Sequence, residues 1–199
     1  LNNYSNITGF LVFFISLFVY YLSVELTGSL WDCGEFILGA YKLQVVHPPG
    51  AGVFVIIGRM FAWLATVFSD DPADIAFAVN LMSAICTSIA AMMIAWTTIM
   101  FGKLALLGRN TDTSNAENIA LSFAGLVAGL ATAFSTSIWF SAVEGEVYAM
   151  STMFTVMTLW AATKYYYIED ESEALRWLVL SLFVSGMSVG VHLLSILSL

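Results

Sequence analysis

Ala51 to Phe68 reads AGVFVIIGRMFAWLATVF, and whether it spans or skims a membrane decides the fold. It is just long enough to cross a bilayer, which takes about 20 apolar residues as a helix. Arg59 falls in its middle. An arginine at mid-bilayer costs about 2.5–3.5 kcal/mol on insertion scales. Laid in the interface, the same helix leaves Arg59 at the headgroups. Pro48 and Pro49 end whatever precedes and start this helix, because proline is tolerated in a first turn.

The setting is a membrane. Hydrophobic residues make up 60% of the chain and charged ones only 10%, with a mean hydropathy of +0.88. A soluble domain carries about 25% charged residues, so soluble-core arguments do not apply. The expected fold class is an all-α polytopic membrane protein. The net charge of −8 sits largely in two loop clusters, Asp70-Asp71-Asp74 and Glu169 to Glu173. No basic surface for nucleic acid is present. Cys33 and Cys86 give no disulfide framework, since Cys86 lies within an apolar run. The chain opens without Met and stops inside LLSILSL, which is expected of a piece of a longer protein. The first apolar segment has no basic leader and no small-residue cleavage site before Glu25, so it reads as an anchor.

Upstream of the deciding segment lies LWDCGEFILGAYKLQVVHPPG, Leu30 to Gly50. As a helix over about 31–46 it places Asp32, Glu35, Gly39 and Lys42 on one face. Such a helix rests on a membrane surface with its carboxylates in water. Apolar spans are expected at 7–26, 77–101, 119–140, 149–165 and 177–199, with interfacial helices at 31–46 and 50–68. Gly125 and Gly129 form a GxxxG spacing that permits close helix packing.

Orientation follows from charge. If 50–68 lies in the interface and the N-terminus is inside, Lys103, Arg109, Lys164 and Arg176 all fall in inner loops. That obeys the positive-inside rule. Asp32, Glu35, His47, Glu144 and Glu146 then share the outer side. If the segment spans, either the rule fails or the two acidic loops separate.

The candidates for chemistry are Asp32 with Glu35, His47 before the double proline, Glu144, Glu146 and Tyr148 at a span end, and His192 within the last apolar run. Solvated loop acids, a rigid turn and a packed neutral histidine are the bland alternatives. An intramembrane histidine nonetheless defaults to a functional hypothesis. No P-loop, GxGxxG, HExxH, CxxC or GxSxG occurs. No metal ligand set is defined, although Asp32, Glu35 and Glu146 leave room for a divalent ion. A transporter or channel subunit with a relay through Glu146, His192 and Arg59 is an open alternative. So is a non-catalytic subunit of a membrane complex.

The order of these features carries a resemblance. The stretches W-D-C-G-E-F, A-Y-K-L-Q-V-V-H-P-P-G, F-S-A-V-E-G-E-V-Y-A-M and S-V-G-V-H-L-L resemble the N-terminal module of GT-C membrane glycosyltransferases, above all the protein O-mannosyltransferases. They are closer still to a bacterial, Bacteroidetes-type family of formerly unknown function with an animal O-mannosyltransferase relative. The resemblance covers nearly all of Ser23 to Leu199. It implies a GT-C-like module that moves a sugar, with mannose expected, from a polyprenyl-phosphate donor to a hydroxyl of an exported protein, with inversion. No cofactor beyond that lipid-linked donor is implied. It places the active face toward the periplasm of a bacterial inner membrane. Asp32 matches the first acid of the family pair and takes the role of base, with Glu35 orienting the acceptor or supporting Asp32. His47 would shape the donor pocket, Glu146 would hold sugar hydroxyls or brace the first loop, and Glu144 and Tyr148 are candidates for donor or acceptor binding. Two family cations are missing: an arginine before the fourth-span acid and a lysine after the double proline. Lys42, Arg59 and His192 are left as the candidates for the donor phosphate.

Overall fold

The computed structural model describes residues 3–108 and 113–193. Among them the chain forms eight helices and no strand: α1 (Asn3–Tyr21), α2 (Cys33–Lys42), α3 (Gly52–Thr66), α4 (Pro72–Leu107), α5 (Asn115–Ala133), α6 (Thr136–Val143), α7 (Val147–Tyr167) and α8 (Glu171–Val189). The chain is an all-α polytopic membrane protein. Four of these helices, α1, α4, α5 and α8, are long and apolar enough to cross a membrane. The 21-residue α7 has comparable length but is more polar. Arg109 lies outside the described residues.

Helix α4 is the mast. Asp71 caps it by accepting a hydrogen bond from Ala73 N at 2.9 Å, and Pro72 opens it. Its 36 residues reach about 54 Å, well beyond the ~30 Å of a hydrocarbon core. Helices α1, α5 and α7 all pack on it, and α8 packs on α7. The GxxxG pair lets α5 come close. A Cβ at Gly125 would lie 2.9 Å from Ala95 O, and one at Gly129 would lie 3.0 Å from Ala91 O. Some of the buried hydroxyls bond back to their own helix, as Ser16 does to Val12 O and Thr158 to Phe154 O. These therefore need no water inside a bilayer.

Helix α3 stays at one end of this bundle. Val53 N donates to Gly190 O just past α8, at 3.0 Å. Gly58 touches Ala40 of α2 and Met82 of α4. Phe61, Ala65 and Phe68 share a groove with Phe77 and Leu81 of α4. Both termini of α3 thus meet the end where α1 and α5 finish and α7 begins. The opposite end holds Lys103, Lys164 and Arg176. There Lys164 Nζ stands 5.9 Å from the Trp160 ring and 5.5 Å from the Trp177 ring.

Every helix differs from its expected bounds by two residues or more, and three of these differences bear on the site. The stretch 119–140 does not run as one helix. Ser135 N and Oγ both donate to Thr132 O, at 3.2 and 2.9 Å, which ends α5 before α6 restarts. The helix expected at 31–46 is trimmed to 33–42, because Leu43 adopts a left-handed φ of 50° and turns the chain back. Gly39 therefore belongs to the buried side of α2, under Val46, and not to its charged stripe. Helix α8 begins at Glu171, since Asp170 accepts from Glu173 N at 2.8 Å, and it ends before His192.

Candidate functional site

The first acidic region is built by turns. Trp31 takes a left-handed φ of 59° and is 90% exposed, and the chain then enters α2 with Asp32 at its N-cap. Glu35 follows in the first turn. After α2 the chain doubles back, with Gln44 N donating to Gly39 O at 2.9 Å. Gly39 permits this return: a Cβ there would lie 2.5 Å from Val46 Cγ1. The return delivers His47 to Glu35. His47 N donates to Glu35 Oε1 at 2.6 Å, and His47 Nδ1 lies 3.0 Å from Glu35 Oε2. His47 Nε2 is 4.0 Å from Asp32 Oδ2. Phe36 supports the imidazole from below, at 5.5 Å between centroids, and rests on Phe54 of α3 at 5.3 Å.

The electrostatics of this pair are reciprocal. The hydrogen bond from His47 holds the Glu35 carboxyl below its ordinary range. The same bond lifts His47 above 6.5, helped by the charges of Glu35, Asp32 and Glu146. Both side chains are open to water, so the pair is fixed by geometry more than by energy.

The second acidic region is tighter. Helix α6 ends at Val143, Glu144 and Glu146 are extended, and Glu146 N donates to Glu144 O at 2.9 Å. Glu146 is only 7% exposed. Burial pushes its carboxyl up to about 7, and the charges of Asp32 and Glu144 push the same way. Tyr148, one residue into α7, is exposed and sets its ring 5.4 Å from that of His192.

These pieces converge. A cavity of about 110 Å³ is lined by Asp32, His47, Pro48, Glu146, Tyr148 and His192. A second, of about 250 Å³, lies across the same wall of Asp32, Glu146 and Tyr148 and adds Trp31, Phe140 and Glu144. Seven of the expected site residues therefore meet: Asp32, Glu35, His47, Glu144, Glu146, Tyr148 and His192. His192 reaches the site from beyond the end of α8, half-buried, and not from within a span.

Two expected residues do not arrive. Lys42 is exposed at the last turn of α2 and lines neither cavity. Arg59 donates to Tyr41 O and stacks over the Tyr41 ring at 5.6 Å, which ties α3 to α2. A relay of Glu146, His192 and Arg59 is accordingly not assembled. The ligand group suited to a divalent ion also differs from expectation. Asp32, Glu35 and His47 each offer an atom within 4.8 Å of the others, and Glu146 stands outside that trio.

Sequence reasoning passed over Asn80. It lies fully buried in α4, and its Nδ2 donates to Glu25 O at 2.7 Å and Thr27 O at 3.0 Å. The signal was available, because an amide inside an apolar run demands partners.

The chain matches the family described as the protein O-mannosyl-transferase TMEM260 N-terminal domain over residues 32–199. It is 26% identical over 162 residues to a protein O-mannosyl-transferase tmem260 of Dictyostelium discoideum, covering 81% of this chain and 17% of that protein. It is 22% identical over 158 residues to the mouse protein O-mannosyl-transferase TMEM260, covering 79% of this chain and 19% of that protein. The chain thus spans less than a fifth of the length of these relatives. No solved structure matches it. With the matched residues running from the first catalytic candidate to the last, the chain belongs to the TMEM260 N-terminal domain family of protein O-mannosyl-transferases.

Proposed function

We propose that this chain forms the donor and acceptor site of a GT-C-type protein O-mannosyltransferase. The substrate would be a polyprenyl-phosphate sugar, and the acceptor a Ser or Thr hydroxyl of an exported protein. The active face would be the loop-rich end of the bundle, turned to the periplasm of a bacterial inner membrane. One observation carries this reading: Asp32, Glu146, Tyr148 and His192, from three separate parts of the chain, border a common cavity beside His47.

The chemistry is a single displacement. The acceptor oxygen attacks the anomeric carbon from the face opposite the phosphate. The bond from that carbon to the phosphate oxygen breaks, and the phosphate leaves with the electron pair. Asp32 takes the hydroxyl proton, and the sugar inverts. The leaving phosphate needs positive charge and no proton. His47 and His192 are the imidazoles on the smaller cavity, and His47 is biased toward its charged form by Glu35. The larger cavity, walled by acids and aromatic rings, suits the acceptor. Asp32 stands between the two, as a base must.

The test is Asp32→Asn in the full-length protein, assayed for sugar transfer to an acceptor peptide. A positioned general base contributes about 10²–10⁴-fold, so transfer falls by that factor while insertion is kept. Unchanged transfer would remove Asp32 from the role of base.

A further inference from the structure

We infer that Asn80 is a positioning residue that sets the spacing between Asp32 and Glu146. This rests on the transferase reading for its consequence, though not for its geometry. Asn80 is 0% exposed. Its two amide hydrogens go to Glu25 O and Thr27 O, at 2.7 and 3.0 Å, on the strand of loop that leads to Asp32. Its carbonyl oxygen accepts from Cys33 Sγ at 3.6 Å, on the residue that follows Asp32. That same oxygen would stand 3.0 Å from a Cβ at Gly145, the residue before Glu146. The two acids thus each sit next in sequence to a residue gripped or abutted by one amide.

The grip is complete on the α4 side. An asparagine side chain has two donors and an acceptor, and all are engaged here. The loop is pinned from the other flank as well, because Glu25 N donates to Val143 O at the end of α6, at 2.9 Å. Helix α4 is the most buried of the four candidate spans, so it serves as the reference for both acidic regions. Without Asn80, the carbonyls of Glu25 and Thr27 lose their buried donor, and the Cys33 thiol loses its acceptor. No other hydrogen bond joins Asp32's neighbours to α4 among those of the described residues.

The experiment uses the full-length protein in membranes, with Asn80→Asp, Asn80→Leu and Gly145→Ala. The aspartate keeps the shape but replaces a donor with an acceptor. The alanine leaves Asn80 intact and presses on it from the Glu146 side. Two readouts are taken. The first is labelling of Cys33 by a membrane-impermeant maleimide, with Cys86, also buried, as the internal reference for general unfolding. Losing the two part-buried hydrogen bonds that hold the loop is expected to raise Cys33 labelling about tenfold in both Asn80 variants, with Cys86 unchanged. The second is the pH profile of transfer. A mere loss of folded protein scales that profile without moving it. A change in the Asp32–Glu146 spacing alters the charge that Asp32 places on the Glu146 carboxyl and so shifts the profile along the pH axis. Cys33 as protected as in the native protein, or Cys33 and Cys86 exposed together, would overturn the inference. Cys33 unmasked in a protein whose native form transfers no sugar would leave the positioning role standing and sink the transferase reading instead.

Discussion

The two acidic regions reach the same cavity by opposite physical routes. Glu35 sits in water and is held ionised by His47, whereas Glu146 sits under protein and is pushed toward its neutral form. The first region keeps its shape through turns: a left-handed Trp31, a left-handed Leu43 and a return strand lying on Gly39. The second keeps its shape through burial against α4 and the first loop. On the proposed transferase reading, a site that takes a proton and holds a neutral sugar has use for each kind of carboxyl. Glu35 supplies charge beside His47, and burial biases Glu146 toward its neutral form.

The first region is the easier to break. Gly39→Ala puts a methyl where Val46 Cγ1 lies 2.5 Å away and Gln44 O 3.4 Å away. The return strand must lift, and His47 parts from Glu35. Overpacking of this kind costs about 1–3 kcal/mol, and transfer is expected to fall by more than about tenfold. Gly34→Ala, five residues earlier on the same helix, meets nothing within 4 Å and serves as the control. Thermal midpoints and transfer rates of the two variants, side by side, decide the matter. Equal effects would show that the return strand does not depend on the missing methyl.

The second region is probed through pH. Glu146 binds its proton more firmly in the folded protein than in the unfolded chain, with about 7 against 4.5. Its contribution to stability is therefore fully present below pH 4.5 and is lost as pH rises through about 7. Glu146→Gln removes that slope. The native protein should lose thermal stability between pH 4.5 and about 7 relative to the variant, by an amount on the order of 1 kcal/mol once water at the cavity is allowed for. Parallel curves for the two proteins would place Glu146 in a more hydrated setting than its burial indicates.

The contrast also explains what could be read from the sequence. Hydropathy revealed the bundle, because each span must satisfy its own backbone and show apolar side chains to lipid. The motifs W-D-C-G-E and E-G-E-V-Y marked both acidic regions, because ionisable groups are costly beside a membrane and stand out. Helix ends were less legible. The break at Ser135 depends on one hydroxyl choosing Thr132 O, and the end of α2 depends on Leu43 accepting a left-handed turn. Neither choice leaves a compositional trace. Asn80 was visible as an amide in an apolar run, but its partners lie 53 and 55 residues earlier in the chain, beyond any local pattern.

The cations show where the fold departs from the sequence expectation. Lys42 and Arg59 looked suited to a phosphate because they were the charges left near the first acidic loop. The fold spends Arg59 on Tyr41 instead, through a hydrogen bond to its carbonyl and a stack on its ring at 5.6 Å. Replacing Arg59 with Gln should therefore loosen the α2–α3 contact by about 0.5–1 kcal/mol, the usual worth of such a stack at a partly exposed site. Transfer should stay within about twofold of the native rate, since electrostatic help to a leaving phosphate falls off steeply away from the reacting oxygen. Lys42→Gln, with no ring to leave, should do less still. A loss of more than about tenfold in either variant, with the midpoint unmoved, would return that cation to the donor phosphate. The division of labour would then need redrawing, with the exposed acidic region holding the donor's charge directly instead of only through His47.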